Sequence, residues 1–272
     1  MISAPRTPRI VQRRRSRQPY ALITLAAIGV AFLALPLVGL LVRAPWHSVP
    51  HKLASGDVTT ALRLSFETAT MATALSLVLG VPIAWCLVRL KIRGRAVLRA
   101  LTTLPLVLPP VAGGIALLLA YGRRGVVGEW LLRAFGLSLP FTTAAVVVAE
   151  TFVAMPFLII SVEGALRGID ARYDAAAATL GASKFFTFRH VTLPMLAPGI
   201  VAGAVLCWAR ALGEFGATIT FAGSYPGTTQ TMPLQIYLAL QDDPDAAIVL
   251  SIVLLGVSMA VLIGLRDRWL RA

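Results

Sequence analysis

Residues 162–197 read VEGALRGIDARYDAAAATLGASKFFTFRHVTLPMLA, a long polar stretch between two apolar runs, 141–161 and 198–218. Tyr173 to Thr179 has strong helix formers, with Asp170 and Asp174 near its start, where the helix dipole favours anions. Gly181 supplies a stop for that helix. Ser183 to Val191 predicts a second short helix ending before Pro194. Two short helices between apolar runs offer a surface that another protein could grip. An amphipathic hairpin lying on lipid headgroups is the simpler alternative.

The flanking runs decide the setting. A bilayer core about 30 Å thick needs roughly 20 apolar residues in helix. Six stretches qualify, at 21–42, 60–88, 101–121, 141–161, 198–218 and 246–265. Of the 272 residues, 57% are hydrophobic and only 14% charged, where a soluble domain carries roughly 25% charged. Mean hydropathy is +0.80. An ordinary soluble enzyme and a disordered chain are both excluded. The first run follows Arg13, Arg14 and Arg15 like a signal peptide core, but it is too long and no small-residue cleavage site follows. It reads as a retained anchor helix. Cys86 and Cys207 each lie inside an apolar run, which excludes a disulfide framework.

Net charge is +13, and its distribution gives the orientation. Six basic residues precede Tyr20, five lie in 89–99, four in 162–197 and three at the C-terminal end. These eighteen share one side; Arg43, Lys52, Arg63, Arg123, Arg124 and Arg133 are on the other. Both termini therefore belong in the cytoplasm. Basic residues that flank spans make no continuous nucleic-acid face, so nucleic acid is no partner, while membrane lipid is.

The third run, TTLPLVLPPVAGGIALLLAYG, carries Pro105, Pro109, Pro110, Gly113 and Gly114. Proline removes a donor and clashes with the preceding turn, so this helix is expected bent or broken. In lipid, a break is tolerated where protein or a water-lined cavity satisfies the freed carbonyls. Gly199 and Gly203 form a G-x-x-x-G that permits close helix approach.

Within the long segment, Ala175-Ala176-Ala177, then Gly181, then Val191-Thr192-Leu193-Pro194 resembles the EAA loop of binding-protein-dependent ABC importer permeases. The spacing fits throughout. The departure is Ala175 where the family usually has Glu, with Asp174 beside it. The resemblance implies an all-α fold with six transmembrane helices, the type I ABC importer permease (MetI-like) fold. It implies that Asp174, Ala175, Ala176, Ala177, Gly181, Val191, Leu193 and Pro194 couple the chain to an ATPase.

Ala209 to Leu240, ARALGEFGATITFAGSYPGTTQTMPLQIYLAL, is similar to molybdate permease subunits, as is LPLVLPPVAGGIALL in the third run. Sulfate permeases share the R-A-x-G-E-[FY]-G core but usually continue differently from Ala217-Thr218-Ile219-Thr220-Phe221. The resemblance spans about 58–265 as the permease domain. Around it lie an Arg-rich tail (1–20), the anchor and outer loop (21–57) and a cytoplasmic tail (266–272). It implies a molybdate importer in the cytoplasmic membrane of a bacterium, built from two copies of this chain, two ATPase subunits and an extracytoplasmic molybdate-binding protein. ATP and Mg would sit on the ATPase, and the chain itself would bind no cofactor or metal. Sulfate, thiosulfate or tungstate are alternative cargoes. A self-contained secondary anion carrier is the other class, and it would predict internal repeats that are not seen.

Molybdate is a tetrahedral dianion, and its path must attract an anion without trapping it. Arg210 and Glu214 stand four residues apart, on one face of the predicted fifth helix and within membrane depth. A charge there is paired or hydrated. The pair is either a gate or an internal bridge that fixes packing. The expected path residues are Arg210, Gly213, Glu214, Phe215, Gly216 and Thr218. Glu150 lies mid-span, where packing is the simpler role, and Glu67 nearer a surface. His47 and His51 have ligand spacing, but Pro50 intervenes without a nearby acidic partner. His190 reads as solvated. Asp242, Asp243 and Asp245 form an acidic outer end that could meet a separate binding protein. No catalytic constellation occurs, and G-x-x-x-x-G-K-[ST] is absent, so any ATP hydrolysis belongs to another polypeptide.

Overall fold

The computed structural model describes residues 20–269 except 54, 91 and 171. The Arg-rich stretch before Tyr20, Lys91 and residues 270–272 lie outside the described residues. Contacts divide the chain into two units, Met1–Arg43 and Ala44–Ala272. The first holds α1 (Tyr20–Val42), 23 residues, apolar all round. At 1.5 Å per residue it is about 34 Å long, enough to cross a bilayer.

The second unit begins with α2 (Val49–Leu53), α3 (Gly56–Arg89), α4 (Arg95–Val107), α5 (Pro110–Tyr121) and α6 (Gly128–Phe135). It continues through α7 (Thr143–Gly168), α8 (Arg172–Thr179), α9 (Lys184–Thr187), a π-helical turn (Phe188–Thr192) and α10 (Leu193–Leu212). The last helices are α11 (Gly216–Phe221), α12 (Met232–Asp242) and α13 (Pro244–Trp269). Among the described residues, five continuous helices are long and apolar enough to span: α1, α3, α7, Lys184–Leu212 and α13. The third predicted span is made of two pieces, α4 and α5. Leu108 and Pro109 between them are extended, with ψ of 129° and 134°. A residue before proline is pushed out of the helical region, and both Leu108 and Pro109 precede one.

Two boundaries differ from the sequence reading. The helix expected to stop at 161 continues to Gly168, burying Val162, Glu163 and Leu166. Its charged residues look like loop but are paired: Glu163 accepts from Arg99 of α4 and, at 2.6 Å, from Arg167. The polar segment therefore starts near residue 169. Pro194, read as lying beyond the end of a short helix, is instead inside the continuous helix Lys184–Leu212, at the start of its α10 stretch. The π turn before it absorbs the register change, with Leu193 N–H donating to the Phe188 carbonyl.

Around α7, α3 and α10 form the core. Lipid is as apolar as leucine, so close approach of small residues, rather than burial from water, holds these helices together. A Cβ at Gly203 would lie 2.9 Å from the Ser161 side chain, and one at Gly80 3.2 Å from Ile159. Gly199 abuts Ala165, and the Ser161 hydroxyl donates to the Gly199 carbonyl at 3.1 Å. The G-x-x-x-G thus packs on α7.

Orientation is directly testable. Cysteines replacing exposed Thr179, at the end of α8, and exposed Thr228, before α12, in a chain lacking Cys86 and Cys207, should react with an impermeant maleimide from opposite sides. Equal labelling of both in intact cells would overturn the orientation.

Candidate translocation gate and coupling surface

The fifth span does not run through as one helix. α10 stops at Leu212, residues 213–215 are non-helical, and α11 restarts at Gly216. The sequence placed Arg210 and Glu214 on one helical face; the helix ends between them, and the pair closes across the break. Arg210 Nη2 lies 2.6 Å from Glu214 Oε2, while the other carboxylate oxygen accepts from the Ala217 amide at 2.9 Å. Glu214 therefore caps the first turn of α11 and neutralises Arg210 together. Its side chain is 1% exposed and that of Arg210 28%. The capping role was not legible, because nothing local marks where an apolar run with Gly213 and Gly216 will stop.

Both breaks meet. A Cβ at Gly216 would lie 2.7 Å from Pro110 Cβ, and one at Gly114 would lie 2.9 Å from the Ala217 carbonyl. Glycine is required here for backbone contact between the two half-helices, α5 and α11. Arg210 opens onto a cavity of about 110 Å³ lined by Pro105, Leu108, Pro110, Gly113 and Phe152, at the break of the third crossing. Thr218 is buried with its hydroxyl unpartnered. Phe215 packs on Tyr237, ring centres 4.9 Å apart, and Gly213 is exposed with an ordinary φ of −92°. Of the six expected path residues, Arg210 is placed at the cavity, Glu214 and Gly216 at the junction, and Phe215 against α12.

Glu150 is buried in α7 and accepts from the Thr68 hydroxyl of α3 at 2.9 Å; its second oxygen has no partner. Ser65, one turn earlier in α3, accepts from the Met232 amide at 2.7 Å, fixing the start of α12. Sequence reading singled out Glu150 but missed Thr68 and Ser65, since their partners are distant in the chain. Glu67 pairs with Arg63 one turn away, 2.6 Å. On the outer side Lys52 bridges to Asp243 at 2.5 Å. That ammonium, then the Ala246 amide, holds the Asp243 carboxyl below the usual carboxylate range.

At the cytoplasmic end, α8 closes with a left-handed Gly181, φ 79°. Ala182 N–H returns to the Ala177 carbonyl at 3.0 Å and Gly181 N–H to that of Ala178, the paired bonds of a Schellman stop. Asp174 turns inward to Arg89 of α3, 3.0 Å away, and accepts from Thr192 at 3.4 Å. Paired in this way, the Asp174 side chain remains 40% exposed. Trp85 meets Phe188 edge to face at 5.1 Å, so α3 and the π turn are packed together beneath α8. Ala175 and Ala176 face outward with Tyr173, Phe185, Phe186 and Leu180, the last 87% exposed. Ala177 and Val191 are half-buried, whereas Leu193 and Pro194 are exposed. An apolar outward face backed by an ion pair into a spanning helix can pass a push from the cytoplasm into the membrane.

Residues 76–272 match the family of binding-protein-dependent transport system inner membrane components. The chain is 51% identical over 245 residues to the molybdenum transport system permease protein of Mycobacterium bovis, covering 89% of this chain and 92% of that one. Identity to the molybdenum permease protein of Escherichia coli K12 is 39% over 210 residues, 77% of this chain and 92% of that one. Among solved structures, a bacterial ABC transporter involved in import of the acidic polysaccharide alginate superposes with a TM-score of 0.69 at 19% identity. The superposition covers 93% of this chain and 94% of that one. It shows that the fold is that of ABC importer permeases.

Proposed function

The chain belongs to the family of binding-protein-dependent transport system inner membrane components, and on that premise we propose that it is the permease subunit of an ATP-driven molybdate importer. The 51% identity to a molybdenum permease, extending over 89% of the chain, carries the reading. Two copies form the path, two ATPase chains bind ATP with its Mg in the cytoplasm, and an extracytoplasmic binding protein delivers the dianion. This chain supplies no catalytic group.

Arg210 is the cation of the gate. Its attraction for an oxyanion is moderated by Glu214, 2.6 Å away, so that a dianion is accepted and then released. The non-helical 213–215 stretch and the Pro109 break let two half-helices shift as units, the arrangement suited to alternating access. Closure of the ATPases pushes on α8, and the Asp174–Arg89 pair carries that push into α3.

The test is nucleotide hydrolysis by the assembled complex in vesicles. Molybdate-loaded binding protein is expected to stimulate it several-fold, on the order of the coupling energies typical of linked sites. Stimulation by sulfate with none by molybdate would overturn the assignment of cargo.

A further inference from the structure

Three of the six outer basic residues, Arg123, Arg124 and Arg133, fall in the turn and short helix that follow α5. Around Arg133, α6 carries Trp130, Leu131, Leu132, Ala134 and Phe135. At about 100° per residue these sweep one apolar arc, with Glu129 and Arg133 opposite. Within α6 only Gly128 and Leu131 are withdrawn from the surface. Trp130 is 59% and Phe135 62% exposed, their rings edge to face at 5.4 Å. An eight-residue helix has too few turns to persist alone in water, so this arc needs a covering.

The position of α6 says what covers it. Val126 and Val127 donate their amides to the Leu119 and Ala120 carbonyls in the last turn of α5, at 3.2 and 2.9 Å. Gly128 is pressed against the Gly122 carbonyl, where a side chain has no room. Arg123 Nε donates to Ser138 Oγ at 3.1 Å, tying the near turn to the far end. Gly136, at φ 67°, closes the helix, with Leu137 N–H returning to Leu131. α5 is the outer half of the third crossing, so α6 is fixed where the apolar run ends. That is headgroup depth, the level at which tryptophan concentrates. Glu129 pairs with Arg133 within the helix, so the positive charge beside the arc comes from exposed Arg123 and Arg124.

We propose that α6 is an interfacial anchor, its apolar arc lying in the outer leaflet while Arg123 and Arg124 receive the phosphates of anionic phospholipids. Charge complementarity and depth together favour lipid over a protein partner. The anchor holds the end of α5, and through Gly114 it steadies the junction with α11.

A fluorophore on Ala134→Cys, in the apolar arc, is compared with one on Glu129→Cys, in the full chain lacking Cys86 and Cys207. The vesicles are phosphatidylcholine with or without phosphatidylglycerol. A nitroxide high on the acyl chain should quench position 134 about threefold more than 129, and aqueous iodide should do the reverse. Phosphatidylglycerol should deepen the acyl quenching at 134, an increase lost in Arg123→Gln/Arg124→Gln. Equal iodide quenching at both positions would overturn the anchor, as would shielding of 134 that arises only when binding protein is added. Insensitivity to phosphatidylglycerol would overturn the lipid-phosphate assignment.

Discussion

The double variant Arg210→Gln/Glu214→Gln is expected to insert, assemble with the ATPase and lose transport at least about tenfold, equivalent to about 1.4 kcal/mol on the limiting step. The design follows from the geometry. Glutamine at 214 keeps an acceptor for the Ala217 amide, 2.9 Å from the present carboxylate oxygen, so the start of α11 survives. Both charges vanish together, which avoids leaving one buried alone. The single variants are harsher: Arg210→Ala strands a carboxylate that is 1% exposed, a change that typically costs about 3–5 kcal/mol. Glu214→Ala removes the cap as well as the counter-charge. Uptake in vesicles, with complex yield measured in parallel, separates the roles. A pair that only fixes packing predicts near-normal uptake by the double variant. That outcome would move both residues out of the path.

Gly181→Val is expected to uncouple hydrolysis from transport while leaving membrane insertion intact. Gly181 sits at φ 79° with nothing within 4 Å of its missing Cβ, so backbone strain, and no clash, is what the substitution introduces. A β-branched residue in the left-handed region costs about 1–2 kcal/mol. α8 has eight residues, and losing its stop redirects Leu180 and Phe185 on the outward face. Gly181→Asn, which tolerates the same φ, should retain most coupling. Binding-protein-stimulated ATPase activity at the wild-type level in the valine variant would refute the role given to this turn.

The crossings were legible because they rest on a local quantity, the length of apolar runs. The break in the third crossing was legible too, since Pro109 and Pro110 in succession disfavour the helical region at both Leu108 and Pro109. The break at 213–215 was not. Gly213 has an ordinary φ, and the stop depends on Glu214 reaching the Ala217 amide and on Gly216 touching Pro110, a contact between distant segments. The same limit hid the length of α7. Glu163 and Arg167 look like loop until Arg99 of another helix is beside them. Pro194 misled for the opposite reason: proline usually ends a helix, but here the helix runs on through it behind the π turn Phe188–Thr192. At the site, the pairing of Asp174 with Arg89 needed coordinates, since Arg89 belongs to a helix distant in the chain.

The most direct measurement is ATP-dependent accumulation of radiolabelled molybdate in vesicles containing this chain, its ATPase and its binding protein, with unlabelled sulfate as competitor. An importer of the proposed kind predicts accumulation that requires all three components and ATP, and that resists a hundredfold molar excess of sulfate, about 2.7 kcal/mol of discrimination. Accumulation without the ATPase would contradict an ATP-driven permease and point to a self-contained carrier; abolition by equimolar sulfate would contradict molybdate as the cargo.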